Sequence, residues 1–436
     1  MTYDVIVVGG GVSGLVAAVR AAEGGARVLL LAKGIGSTHL APATIDVLGY
    51  ADGRRVDRPL EELPGFAATR PGHPYAHVPA EEVAAALEWL RGHVVAGPLE
   101  GYEYAGSADE NLLLPTALGA LKPSALAPAP IAAGDLRGGG RVALVTITQL
   151  RDFFPALAAG ALARAEGVEA RAIELPLPAG ARNDLNALGL AGSFEDAAFR
   201  NRVATTLAPR LHAGELVGFP AALGLDDPHG VWTDLQERLG RPVFEIPTLP
   251  PSVPGIRLFR ILREALRRAG GRMIVGGEVT GVERDGTRVR EVRAHVAGRE
   301  RRHATEWLVL ATGGFASGGL AMDSHWRVRE DVLGLPVSGV PAPGAPRFTP
   351  RYFDEHPMSR AGIATDAQLR PVDDAGDCVF ENVLVVGAAL AGAAPWREKS
   401  GEGISVATGY CAAGHILDQV AAARTATAQP TARTEA

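Results

Sequence analysis

Gly9, Gly11 and Gly14 stand at the spacing Gly-x-Gly-x-x-Gly, directly after the apolar run Asp4-Val-Ile-Val-Val8 and before an apolar stretch over 15–24 that reads as a helix. Glycines in this order suit a phosphate. The first permits a tight turn, the second lets the backbone come close to the anion, and the third lets the helix pack on the strand. Ser13 lies in the same loop, and the helix N-terminus offers free N–H groups to an anion. A second strand over 26–31 completes a βαβ unit, the context that gives the motif its meaning.

A dinucleotide site usually carries an acidic residue at the end of that second strand, about 20 residues on, to bind the adenosine ribose. Here the position falls on Ala32, followed by Lys33. One reading is FMN, whose single phosphate would sit on the glycine loop beside Lys33. The other is FAD, with the ribose held by backbone groups or another side chain. The FMN reading is preferred on this residue. The stretch over 34–49 is too long for a simple connection. It carries Ser37-Thr38-His39 and Thr44-Ile45-Asp46, and a long loop beside a phosphate site is expected to line the ligand.

Further strand ends are glycine-rich. A buried strand runs into Ala311-Thr312-Gly313-Gly314, another ends at Gly387, and Ser400-Gly401-Glu402-Gly403 opens a helix from Ile404 to residue 420. Each places N–H groups where open α/β sheets bind ligands. The helix at Gly401 and Gly403 is expected to turn its positive end toward a flavin.

The rest of the chain must position these ends. Strands over 141–147, 168–175, 215–219 and 243–246, with helices over 149–166 and 231–239, read as an inserted α/β unit. Residues 76–249 are assigned to it, and 1–75 with 250–436 to a Rossmann-like flavin-binding domain. The proline-rich string over 247–254 reads as the hinge back, followed by a helix over 256–269. Strands over 272–275, 278–284 and 288–295 read as an antiparallel meander. Residues 421–436 read as a frayed helix end and tail.

The chain has 436 residues and a net charge of −6 with acids and bases interspersed, which gives no electrostatic case for nucleic acid. No apolar run approaches the ~20 residues that span a bilayer, and a cytoplasmic location is expected. Its two cysteines, Cys378 and Cys411, are too far apart for an iron–sulfur motif, and no metal site is read here.

The three glycine-rich ends together resemble the flavoprotein family of fumarate reductase and succinate dehydrogenase. Pro247-Thr-Leu-Pro-Pro-Ser-Val-x-Gly-Ile-Arg257, Ser317-Gly-Gly-Leu320, Leu333-Gly-Leu335 and Thr365-Asp-x-x-Leu-Arg-Pro371 are similar to the B-subunit family of bacterial anaerobic glycerol-3-phosphate dehydrogenases. That resemblance implies a flavoprotein that works with an FAD-bearing catalytic A subunit and an iron–sulfur, membrane-anchoring C subunit. It would be peripheral on the inner face of the membrane, and electrons from sn-glycerol 3-phosphate would reach quinone. Family descriptions assign FMN to this member of the assembly. The alternatives are a non-redox structural subunit and a stand-alone flavin oxidoreductase. In the succinate dehydrogenase branch a Ser-His-Thr loop links flavin covalently, which makes His39 a candidate flavin contact, although the order here is Ser37-Thr38-His39. Arg257, Arg370 and Arg182 are candidates for an anionic substrate, but for each alone a structural ion pair or a contact with the partner subunit is the preferred reading.

Overall fold

The computed structural model describes residues 2–177 and 184–428. Arg182 lies outside the described residues, as does the expected tail over 429–436. The strand Thr2–Val8 pairs in parallel with Val28–Ala32 on one side and with the long strand Arg299–Leu310 on the other. Val5 to Val8 and Val28 to Ala32 are continuously buried, the pattern of parallel strands covered on both faces. Across the seven-stranded sheet the order is Arg272–Val275, Val28–Ala32, Thr2–Val8, Arg299–Leu310, Arg288–Val296 and Gly277–Asp285, with Val383–Val385 also pairing the end of Arg299–Leu310. Val8 is level with Leu31 and Leu310, and Leu310 with Val385. Four strands therefore run out side by side at one sheet edge.

Arg272–Val275 does not belong to the meander as expected. It pairs in parallel with Val28–Ala32 as the outer strand of the nucleotide-binding sheet. The antiparallel meander consists of Gly277–Asp285, Arg288–Val296 and the first half of Arg299–Leu310. The turn at Gly276, with φ +82°, separates the two roles.

The inserted unit has its own parallel sheet, in the order Val168–Leu175, Gly140–Ile147, Glu215–Pro220, Val243–Ile246. Its separate core runs from Leu136 to Val253 in sequence. The expected boundary at residue 76 is too early. The helix Ala80–Val95 buries Val83, Leu87, Leu90 and Val94 in the core of the seven-stranded sheet, as do Tyr102, Tyr104 and Leu126 further on. The apolar spacing of that helix showed that it buries one face, and the tertiary fold decides against which sheet. The helix expected over 149–166 is shorter, Pro155–Leu162, because proline is best tolerated in a first turn.

Ser252 caps the helix Val253–Arg268, accepting from the Gly255 N–H at 3.1 Å. Arg257 on this helix has no exposed surface. It donates to Glu245 at 2.8 and 3.1 Å and to the carbonyl of Leu223 at 3.1 Å. Arg257 thus makes the structural ion pair that is the preferred reading for it, and is not a free anion-binding group: a carboxylate and carbonyls already fill its guanidinium, which ties the inserted sheet to a helix packed against the first domain. Replacing Glu245 with Ala should cost about 3 to 5 kcal/mol by stranding a buried charge. Removing Glu61 from its exposed pair with Arg58 should be nearly neutral. Urea unfolding of the two variants checks this, and equal losses would contradict it.

Candidate functional site

A cleft of about 660 Å³ opens along the shared strand edge. Along the strand ends, Lys33 follows Val28–Ala32 on one side of Gly9 to Ser13, and Ala311 to Gly313, Gly387 and Ala388 follow on the other, with Gly401, Glu402, Ile404 and Ser405 beyond them. Gly277 to Thr280, from the far strand of the sheet order, reach the Lys33 side through the Lys33–Glu278 ion pair.

The glycine loop has a packing part and a binding part. Gly9 has φ +119°, and a Cβ there would lie 2.1 Å from the Ala311 carbonyl oxygen. A Cβ on Gly14 would lie 2.1 Å from the Gly9 oxygen. Both glycines join backbone to backbone. Gly11 differs: its φ of −76° suits any residue, and a Cβ there meets nothing within 4 Å. A side chain at Gly11 would enter open space in a loop that lines the cleft. The Thr38 and Thr312 hydroxyl oxygens also lie at the cleft, buried and without a hydrogen-bond partner. Buried polar atoms are normally satisfied, so this lining fits a polar ligand that would supply the missing partners.

The loop Ser37–Leu40 is braced from behind. Ser252 N donates to the His39 oxygen at 2.7 Å, and a Cβ on Gly255 would lie 2.0 Å from the Thr38 oxygen. The proline-rich string read as a hinge is thus a support for the loop.

Of the residues expected at a cofactor, Gly9, Gly11, Ser13, Lys33, Ser37, Thr38, Thr312, Gly313, Gly387, Gly401 and Ile404 line the cleft. Gly14 packs as described. Ala32, 1% exposed, is buried in the sheet. Gly314 faces the Ala388 oxygen, and Gly403 packs against Asp46 and Tyr75. His39 holds Ser252 through its main chain, and its side chain is not part of the cleft lining. Arg370 pairs with Asp366 at 2.8 Å and borders a separate recess with Trp307 and His415.

Several lining residues escaped the sequence reading. Glu278 stands beside Lys33, 2.7 Å from its ammonium. The cation expected to serve a phosphate therefore has a carboxylate partner, and an acid is present at this end after all, on the strand Gly277–Asp285 that follows Arg272–Val275 across the turn at Gly276. Arg329 and Asp331 also line the cleft, paired at 2.6 Å.

Glu402, in the first turn of the helix Gly401–Ala428, is the third. Behind it Asp46 is buried, held by Lys122 at 2.7 Å and by the hydroxyls of Ser124 at 2.6 Å and Thr44 at 3.0 Å. The Asp46 carbonyl accepts from Gly403 N at 3.0 Å. Burial, reinforced by the Asp46 charge, pushes the Glu402 carboxyl up to about 7. The helix end thus carries an acid whose charge changes near neutrality, which its positive end alone did not suggest.

The strand edge, glycine loop and cleft define a Rossmann-type nucleotide-binding protein. An FAD-binding-domain family model matches residues 4–404. The probable B subunit of an anaerobic glycerol-3-phosphate dehydrogenase from Halobacterium salinarum is 34% identical over 94% of this chain and 96% of its own length. The B subunit of the anaerobic glycerol-3-phosphate dehydrogenase of Yersinia pseudotuberculosis is 31% identical over 97% and 99%. Among solved structures, 3-ketosteroid delta1-dehydrogenase from Sterolibacterium denitrificans covers 96% of this chain and 100% of its own at 13% identity and TM-score 0.46, a likeness too low to carry an argument. The chain belongs to the FAD-binding-domain family and, within it, to the B-subunit family of anaerobic glycerol-3-phosphate dehydrogenases. The family match supports FAD and does not support FMN as the primary flavin.

The Glu402 carboxyl has a testable consequence without any ligand. Its ordinary value of 4.5 is raised to about 7 in the folded chain, so folding favours the protonated form. That contribution is complete below about pH 4.5 and is lost as pH rises through about 7. Glu402→Gln should therefore match the parent at pH 4.5 and exceed it at pH 8.5, by on the order of 1 to 3 kcal/mol after allowance for partial exposure. Denaturant unfolding of the flavin-free proteins at both values checks this, and an equal difference at both would contradict it.

Proposed function

We propose that this chain is the FAD-binding B subunit of a quinone-dependent glycerol-3-phosphate dehydrogenase. It would take part in oxidising sn-glycerol 3-phosphate to dihydroxyacetone phosphate, with electrons leaving through an iron–sulfur partner. The observation that carries the FAD assignment is the extent of the cleft on both sides of the glycine loop, toward Glu278 one way and Glu402 the other. FMN on the loop would fill one side only. In this reading the loop N–H groups hold the pyrophosphate, and Glu278 supplies the ribose carboxylate that position 32 lacks. Gly401 and Ile404 border the ring. The bound flavin supplies the redox chemistry, and the protein supplies position and electrostatics.

The partners follow from the same reading. Among the described residues, the lysine and arginine side chains lining the cleft are Lys33 and Arg329, both ion-paired. No free cation is left to clamp a phosphate dianion, so substrate capture belongs to an A subunit, and a C subunit carries the assembly to the membrane. Among the described residues no helix is long and apolar enough to cross a membrane. Tyr352 and Phe353, 75% and 87% exposed, lie in the segment leading to Ser359 and Ala361 at the cleft, and exposed aromatic surface of this kind suits a contact between subunits.

Gly11→Val should fold normally and purify colourless, because its side chain occupies open space at the cleft; retained flavin at unchanged affinity would refute the site. Glu278→Ala should weaken FAD by about 10-fold or more, as loss of a charge-assisted hydrogen bond of roughly 1.5 to 3 kcal/mol implies, and leave FMN unaffected. Titration calorimetry reads both. The flavin-loaded chain alone should not bleach on mixing with glycerol 3-phosphate, whereas the complex with its A subunit should. Rapid bleaching of the lone chain in stopped-flow absorbance would assign catalysis here instead.

A further inference from the structure

We propose that Glu402 is the proton-holding group of the cleft, taking up one proton when negative charge arrives on the bound cofactor and releasing it when that charge leaves. This rests on the FAD reading above and adds to it a defined role for one side chain.

The argument starts from two neighbouring carboxylates with unequal surroundings. Asp46 is 4% exposed. It is neutralised by the Lys122 ammonium at 2.7 Å and accepts from the hydroxyls of Ser124 and Thr44. Glu402 lines the cleft, and the nearby cations are engaged elsewhere, Lys122 with Asp46 and Lys399 with the Trp396 carbonyl. Two like charges at close quarters favour one ionised and one protonated group. Their partners set the two apart: Asp46 is held by Lys122, Ser124 and Thr44, whereas Glu402 borders the cleft and is the member free to change.

The other groups around Glu402 are fixed in charge. Glu398 is paired with His73 at 3.2 Å and held below its ordinary range, where burial is outweighed by His73 and the Ser400 and Ala394 donors. Tyr75 donates to the Val47 carbonyl at 2.8 Å and Tyr104 to the Ala43 carbonyl at 2.7 Å. Burial pushes both phenols well above their ordinary value, so they stay neutral. Asp46, Lys122 and Lys399 supply the remaining charges that act on Glu402.

The coupling follows from the helix end. The first turn of Gly401–Ala428 favours negative charge, and Glu402 occupies that turn. Added charge on the cofactor competes with the carboxylate for the same positive end, and protonation of Glu402 relieves the competition. The balance closes without any substrate at this cleft. Two electrons arriving from a partner with one proton would leave the bound flavin one negative charge richer. A proton taken from solvent through the open cleft would neutralise the Glu402 carboxylate in step, and departure of the electrons would return it to solvent.

The test uses the FAD-loaded full chain. The midpoint potential is measured from pH 5.5 to 8.5 for the parent and for Glu402→Gln. The parent should show an interval around pH 7 in which one more proton is taken up per two electrons, and the variant should lack it. Photoreduction in weakly buffered solution at pH 7, with a pH indicator, should count up to about half a proton more per flavin in the parent than in the variant, since about half of the Glu402 carboxyls are already protonated there. Equal slopes and equal proton counts would overturn the inference while leaving the FAD assignment intact. A parent protein that binds no flavin would instead overturn the assignment itself. If Glu402→Gln loses FAD, the parent curve decides alone, and a slope without the additional interval overturns the proposal.

Discussion

The fold depends on backbone meeting backbone without an intervening side chain. The oxygen of Ala311 sits where a Cβ of residue 9 would be, at 2.1 Å, and a Cβ on Gly387 would lie 2.4 Å from the Ser13 hydroxyl. A Cβ on Gly409 would lie 2.4 Å from the Ser13 carbonyl oxygen. These approaches bring the ends of Thr2–Val8, Arg299–Leu310 and Val383–Val385 together with the N-terminal turns of two helices. The cleft is what remains between them, and its lining is largely main chain for that reason. Such a surface suits a phosphate-bearing ligand better than a small apolar one, because N–H groups and helix ends are its main chemical resource.

The inserted unit serves this edge from a distance. The buried pair Arg257 and Glu245 joins its sheet to the helix Val253–Arg268, and the residue that caps that helix also holds His39 in place. One short stretch, over 252–257, therefore fixes both the domain junction and the loop over the glycine motif. A buried charge pair is weak evidence for added stability, but breaking it strands a charge, so the junction tolerates little change.

Much of the fold was legible in the sequence because the apolar runs around the glycine loop leave few alternatives. The parallel strands at 4–8, 168–175 and 243–246 were placed closely. Apart from the helix that starts late, at Pro155, the assignments that moved depended on which sheet an element joins. Arg272–Val275 looks like meander because it precedes meander, yet its partner is Val28–Ala32. The helix Ala80–Val95 lies within a stretch that otherwise belongs to the insertion, and its apolar face fits either core. In the site, glycines were found by motif, but the motif does not distinguish Gly11, which faces open space, from Gly14 and Gly403, which pack. For the arginines the sequence leaves both roles open, because a guanidinium has the same donors whether its carboxylate is a substrate or Glu245, and the preferred structural pair is what Arg257 and Arg370 make. Glu278 belongs to no motif, and Glu402 sits unremarked within a glycine-rich helix start; only the tertiary fold makes them neighbours of the cleft.

The central claim is that the cleft holds a whole dinucleotide, with the glycine loop at its middle and a carboxylate at each end. Calorimetric titration of flavin-free protein with FAD and with FMN under the same conditions tests this directly. The account predicts FAD binding at least about 10-fold tighter, a difference of about 1.4 kcal/mol from contacts beyond the loop. FMN binding as tightly as FAD, or recovery of FMN from the native protein, would contradict it.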